Sequence, residues 1–474
     1  MTIPPIGMTP DEIMATLRRF KAHDMDWQSG RVFAYIYQPH ETAAAVVRDA
    51  YMLYLAENCL DPTIFPSIAQ LERDVVRMIA GLLQGDEQVA GNVTGGGTES
   101  ILLAVKAARD WARAHRPHIA QPEMVLSRTA HAAFHKAAHY FGVKPVVVAF
   151  DPATFEADVA AMRAAITDNT ILLVASAPCY SQGVIDPVPA IASLAQEYGL
   201  LCHVDACVGG IYLSFLRKLG YAVPPFDFSI PGVTSLSVDM HKYGYSAKGA
   251  SLILYRDRAL RRYQMFASTD TTGYTLINPT VLSSRSAGPI AGAWAILHHL
   301  GEAGYREIVA TVQAATERLI AGINAIDGLF VLGQPAMSMF SFASNNINVF
   351  HLADALRRRG WYLQPQFSTP LSPRNLHVSV TYGVAHNVEA LLADLAACVE
   401  EVRQAPPTDP TLIQTLVSAI ARDPSPATIM ELMAAIGLRP GALPQEMALI
   451  NDVLDALPDA VANEIVIDFF NNLY

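Results

Sequence analysis

An α/β domain with a mainly parallel sheet, followed by a smaller C-terminal α+β domain, is the fold class this sequence predicts, on three observations. From about residue 67 to 300, short β-branched and apolar runs alternate with helix-length segments. These runs are largely apolar and separated by helix-length segments, which implies parallel strands covered on both faces. Beyond residue 300, shorter strand candidates mix with helical patterns, so a second and smaller unit follows.

Residues 1–66 read as a mostly helical arm, interrupted at Pro39, Pro62 and Pro66. Over 67–300 the strand candidates are EMVLS (123–127), VVVAF (146–150), TILLVAS (170–176), LLCHVDA (200–206), SLSV (235–238) and ASLILY (250–255). A helical pattern resumes over 288–325, and LFVLG and NLHVSVTY are strand candidates of an α+β domain assigned to 301–403. QAPPTDP (404–410) and RDPSPA (422–427) break the chain again. The remainder, 404–474, is expected to be a tail of one or two helices packed on the body.

Composition narrows the classes of function. The chain has 474 residues, of which 51% are hydrophobic and 16% charged. That profile fits a deeply buried globular protein and excludes disorder. A net charge of −11 argues against nucleic acid as a partner. No apolar stretch reaches the roughly 18 residues needed to cross a bilayer. The opening MTIPPIGMTPDEI has no basic-then-apolar signal pattern, so a soluble cytoplasmic protein is expected. Five cysteines without a CxxC pair indicate buried free thiols rather than a disulfide framework or a zinc site, and no metal is expected.

Three motifs carry chemistry. TGGGTES (94–100) precedes the helical run ILLAVKAARDWA. Glycines before a helix start leave backbone N–H groups open to an anion, and Thr98 can add a hydroxyl. The same stretch also reads as a glycine turn with Thr98 as an ordinary N-cap. HVDAC (203–207) places Asp205 at the end of an apolar strand, where a carboxylate needs a partner. That partner is either a protonated ring nitrogen, a salt bridge or a helix terminus. SVDMHKYGY (237–245) ends another apolar run with His241 and Lys242. Desolvation lowers a lysine pKa and makes the amine a usable nucleophile, whereas a solvated surface lysine is the plain alternative. Phosphate cradle, strand-end Asp and strand-end Lys, in that order, together match the needs of pyridoxal 5′-phosphate (PLP).

TGGGTESILLAVKAARD, AHAAFHKAAHYFGVK (130–144), GVIDPVP (183–189), HVDACVGG (203–210), GVTSLSVDMHKYGYSAKGASLILY (232–255) and the closing FFNNLY carry a resemblance that covers nearly the whole chain. The sequence resembles the fold-type I PLP-dependent enzymes of the group II decarboxylase-like family, and within them the sphingosine-1-phosphate lyases. The resemblance implies a PLP-dependent transferase-like large domain with Lys242 as the Schiff-base lysine and Asp205 as partner of the pyridine nitrogen. It further implies that His131 stacks on the cofactor ring and that Gly97, Thr98 and His241 hold its phosphate. Ser284 matches a phosphate contact supplied from the neighbouring subunit, which implies a homodimer with shared active sites. Tyr37, Tyr180 and Lys248 match positions near the substrate.

The implied reaction is retro-aldol C2–C3 cleavage of a phosphorylated long-chain sphingoid base to a fatty aldehyde and phosphoethanolamine. The alternative is decarboxylation of an L-amino acid, which uses the same cofactor apparatus but needs a cation for the carboxylate. Apart from Arg109, no arginine stands in the matched motifs. Two positions depart from the family pattern: Asp61 stands where the lyases usually carry a histidine, and SSRSA (283–287) replaces GSRPG. The N-terminal anchor of the family's membrane-bound members is also missing, which implies a soluble form.

Overall fold

The computed structural model describes residues 2–270, 273, 275–406, 409–423, 428, 431–432, 434, 436 and 444–472. Its centre is a seven-stranded sheet in the order β1-β7-β6-β5-β4-β2-β3. The strands are β1 (Ala90–Thr94), β2 (Glu123–Ser127), β3 (Lys144–Val148), β4 (Thr170–Ser176), β5 (Leu201–Asp205), β6 (Ser235–Val238) and β7 (Ser251–Tyr255). Pairs from β6 through β5, β4 and β2 to β3 are parallel. Only β7 runs against the rest, pairing antiparallel with both β1 and β6.

The largely apolar character of these strands has a direct cause. Met124 and Leu126 of β2 and Val174 of β4 feed a core with Ile101, Val105 and Phe134 from the helices Gly97–His115 and Ala133–Phe141. Val125, Leu173 and Ala175 point the other way, into the main core with Ile191 and Leu213. Successive side chains of a strand alternate faces, and here both faces are covered. The run expected at 146–150 is strand two residues earlier, and β1 escapes the pattern altogether. Its sequence, AGNVT, holds Gly91, where a Cβ would run into the Ile253 carbonyl of β7.

The helix Gly288–Ala325, bent at Gly301 (φ 53°), leads to a smaller antiparallel sheet. Its order is β10-β11-β13-β12, from β10 (Leu329–Val331), β11 (Met339–Ser344), β12 (Gln364–Gln366) and β13 (Asn375–Ser379). A short hairpin of β8 (Phe266–Ser268) and β9 (Leu276–Asn278) lies between the two sheets in sequence. The tail includes the helices Pro410–Arg422, Ala448–Ala456 and Asp459–Asn471, more than the one or two expected. They share a core of Leu416, Ile420, Val453 and Ile465. Ion pairs from Arg374 to Asp452 and Asp455 fasten them to the smaller sheet. No helix among the described residues is long and apolar enough to cross a membrane.

Candidate active site

In open α/β sheets ligands sit beyond the carboxyl ends of the strands. Here the ends of β5 and β6 and the first turn of the helix Gly97–His115 open on one cavity of about 550 Å³. Gly97, Thr98, His131, Tyr180, Asp205, His241 and Lys242 all line it. Tyr37, Lys248 and Ser284 do not.

The glycine turn does not use Thr98 as its cap. Gly96 occupies the N-cap position and no side chain caps the helix, which leaves the first N–H groups and the exposed Thr98 facing the cavity. Gly97 is required by space, because a Cβ there would stand 2.8 Å from both Asp239 Oδ1 and Cys207 Sγ. Glu99, not singled out by motif, braces the turn by accepting from Gly95 N at 2.6 Å and Val281 N at 2.9 Å. Helix-start N–H groups of this kind suit an anion.

Asp205 is buried, and no cation pairs with it among the described residues. Its Oδ1 accepts from Ser237 Oγ at 3.0 Å and Cys207 N at 3.1 Å. Since Ser237 gives its only proton to the carboxylate, the His203 Nε2 that lies 3.2 Å away must be the donor to Ser237. Burial pushes the His203 pKa down to about 4, against the pull of the Asp205 charge, so the ring is neutral. Nδ1 of that tautomer accepts from Ser235 Oγ at 2.8 Å. Ser235, His203 and Ser237 thus form a buried string of hydrogen bonds that ends on Asp205 and fixes its carboxylate in place.

Lys242 departs from the sequence expectation. Burial does lower its pKa, but the Asp239 carboxylate, with Oδ2 3.0 Å from Nζ, outweighs burial and holds the lysine as an ammonium with a raised pKa. Asp239 is the principal residue missed by sequence reasoning, although its place three positions before Lys242 in SVDMHK was the available signal. It is almost fully buried and also accepts from Ser251 Oγ at 2.5 Å. Ser100 and Thr94 continue that hydroxyl chain at 3.0 and 2.7 Å. His241 Nε2 lies 3.6 Å from the same carboxylate, while its buried Nδ1 has no partner among the described residues. Tyr245 closes this loop with φ at 58°, a left-handed conformation that a bulky residue adopts only when its surroundings enforce it.

The residues that the resemblance places near a substrate come from elsewhere in the chain. Tyr180 donates to Gln364 Oε1 at 2.6 Å, stacks on His377 with centroids 4.3 Å apart and meets His131 edge-on at 6.4 Å. Lys248 Nζ donates to the carbonyls of Tyr35 (3.0 Å) and His241 (3.4 Å) and lies 5.0 Å from the Tyr37 ring centroid. Burial raises the pKa of both Tyr37 and Tyr180. Desolvation and the neighbouring Lys242 charge lower that of Lys248. Ser284 is exposed and accepts from Asn58 Nδ2 at 3.2 Å. Its neighbour Arg285 is committed to a two-pronged pair with Glu72 at 3.1 Å. Asp61 is exposed, with its Oδ1 holding Thr63 N at 2.8 Å and Thr63 Oγ1 at 2.6 Å.

The donor set fits PLP. Free helix-start N–H groups and the orphaned Nδ1 of His241 suit its phosphate, the acceptor Asp205 suits a protonated ring nitrogen, and Lys242 suits its carbonyl carbon. Comparison with known proteins agrees. Residues 8–344 match the pyridoxal-dependent decarboxylase conserved domain, and residues 390–472 match a pyridoxal-dependent enzyme C-terminal putative HTH domain. The chain is 40% identical to a sphingosine-1-phosphate lyase of Oryza sativa, over 85% of this chain and 75% of that protein. With the lyase of Arabidopsis thaliana the identity is 37%, over 90% and 78%. The solved sphingosine-1-phosphate lyase of Burkholderia pseudomallei superposes with a TM-score of 0.81 at 35% identity, covering 89% of this chain and 96% of that one. The chain therefore belongs to the pyridoxal-dependent decarboxylase family and, within it, to the group of the sphingosine-1-phosphate lyases.

Proposed function

We propose that this protein is a PLP-dependent carbon–carbon lyase that cleaves phosphorylated long-chain bases between C2 and C3. The observation that carries the reading is the convergence of Gly97, Asp205, His241 and Lys242 on one cavity in a chain 40% identical to a sphingosine-1-phosphate lyase. Lys242 would bind the cofactor's carbonyl carbon, Asp205 its ring nitrogen, Gly97, Thr98 and His241 its phosphate, and His131 its ring face. Bound there, the cofactor supplies a ring that accepts the electron pair released when C2–C3 breaks.

The remaining work belongs to side chains. The C3 hydroxyl must lose a proton, C3 leaves as an aldehyde, and C2 must gain a proton to end as phosphoethanolamine. Of the groups beside the substrate, Lys248 has the pKa moved in the direction a base needs. Tyr37 and Tyr180, pushed upward by burial, suit hydrogen-bond donation. Lys242, once its amine is free of the cofactor, is suited to return the proton to C2.

The reading includes a homodimer and a cytoplasmic location. Support for the dimer is the position of Ser284, outside its own chain's cavity, and the helix Pro10–Lys21, which buries none of its residues and exposes Ile13, Leu17 and Phe20. Support for the location is the lack of a membrane-length apolar helix among the described residues. Incubation with sphinganine 1-phosphate tests the activity: phosphoethanolamine and a long-chain aldehyde are expected, whereas carbon dioxide released from an amino acid identifies a decarboxylase.

A further inference from the structure

Beyond the site lies a second cavity of about 450 Å³, between β12, the helix Val349–Arg358 and the tail helices Ala448–Ala456 and Asp459–Asn471. Leu363, Met447, Ile450, Leu454, Val466 and Phe470 make it predominantly apolar. Its one acidic lining residue, Asp354, is already occupied in capping Met447 N and Ala448 N. A predominantly apolar hollow of this size with few polar groups is what a ligand's hydrocarbon part requires.

This hollow adjoins the active site through a neighbouring cavity. A third cavity, of about 420 Å³, shares His131 and Tyr180 with the active site and Gln364 and Phe367 with the apolar hollow. Tyr180 lines the active site and donates to Gln364, which lines the hollow, so one hydrogen-bonded pair stands between the two spaces and borders both. The tail that forms the outer wall carries two arginines, no lysine and nine carboxylates over 404–474. Such a charge balance repels a nucleic-acid backbone, so the DNA-reading role that the HTH description evokes is not what this module is built for.

We infer that the apolar hollow, roofed by the C-terminal tail, receives the aliphatic chain of the substrate while its amine and phosphate stay at Lys242 and the glycine turn. The inference rests on the lyase reading, since it assumes a substrate with a reacting polar head and a long hydrocarbon tail. The tail module then selects substrates by chain length. Each methylene moved from water into the hollow favours binding roughly fourfold, so long chains gain from it and short chains do not reach it.

Filling the hollow tests this. Val466→Trp, at a 41% exposed position on the rim, and Leu454→Trp, deeper in, are compared with the native enzyme on eighteen-carbon and eight-carbon sphingoid base 1-phosphates. Cofactor absorbance and circular dichroism verify that each variant is folded and loaded, and Val466→Trp keeps the test alive if Leu454→Trp does not fold. Expected is a fall in kcat/KM of about tenfold or more on the long substrate, roughly the loss of two methylenes, with the short substrate within about twofold. Equal effects on both substrates, or no effect on either, would overturn the inference while the lyase reading stands. Failure of the native enzyme to cleave either substrate would instead overturn the lyase reading, and this inference with it.

Discussion

The floor of the active site and its substrate wall are built by different rules. On the floor, Asp205, Asp239 and Lys242 stand at or just past the ends of β5 and β6, all within 38 residues of one another; the strand hydroxyls of Ser237 and Ser251 fix the two carboxylates, and Asp239 in turn fixes Lys242. The wall collects Tyr37 from the arm, Tyr180 after β4, Lys248 before β7 and Gln364 from the smaller sheet. The difference teaches where each function is held. On the proposed roles, cofactor binding would rest on one sheet, whereas substrate choice would rest on how separate segments are docked against it.

The largest effect should come from the floor. Lys242→Ala is expected to lower kcat/KM by at least about a thousandfold and to remove the visible absorbance that follows covalent capture of the cofactor. Retained absorbance would place the attachment elsewhere.

Asp239→Asn separates holding from reacting. Asp239's pKa is lowered in the fold, so the pair's contribution is full above the ordinary 3.8 and is lost as pH falls through the depressed value. Lys242's pKa is raised, so its contribution is full below the ordinary 10.5 and is lost as pH rises through the raised value. Breaking this buried pair should cost about 3 kcal/mol in urea unfolding near neutral pH. Without the carboxylate, burial dominates, and cofactor uptake by the apoprotein should shift to lower pH. An unchanged pH midpoint for uptake would show that Asp239 does not govern the lysine.

Ser237→Ala cuts the string that ends on Asp205. It should weaken PLP binding about tenfold, in line with the loss of one hydrogen bond to a charged group, with Ser237→Thr restoring it. A drop in kcat with no change in cofactor affinity would mean that the string serves something other than Asp205.

The smallest effect belongs to the periphery of the wall. Asp61 is turned onto Thr63 and exposed. Asp61→His should therefore raise the preference for a phosphorylated over an unphosphorylated base by no more than about fivefold, the worth of an exposed charge contact. A much larger gain would place residue 61 against the substrate phosphate, as an arm crossing between subunits would.

The same contrast explains what the sequence made legible. EMVLS, TILLVAS and SLSV coincide with β2, β4 and β6 because strands covered on both faces carry apolar side chains into the cores on either side. AGNVT was not legible, since Gly91 is there to admit the neighbouring backbone and Asn92 to accept from Arg261 and Gln264. Nor does an apolar run carry its direction, so the reversal of β7 was hidden in ASLILY. Lys242 and Asp205 stood out by their position at strand ends. The upward pull on Lys242 did not, because it depends on a turn that folds Asp239 back to within 3.0 Å. Tyr37, Tyr180 and Lys248 were visible only through family resemblance, as nothing local in their sequence marks contacts made across the chain.

The central claim is that this floor and wall together cleave a C2–C3 bond. Its most direct test is product analysis of the native enzyme and Lys242→Ala on sphinganine 1-phosphate, with both aldehyde and phosphoethanolamine quantified. Equal amounts of the two products from the native enzyme, and neither from Lys242→Ala, are the predicted result. An intact substrate, together with carbon dioxide released from an amino acid by the same preparation, would contradict it.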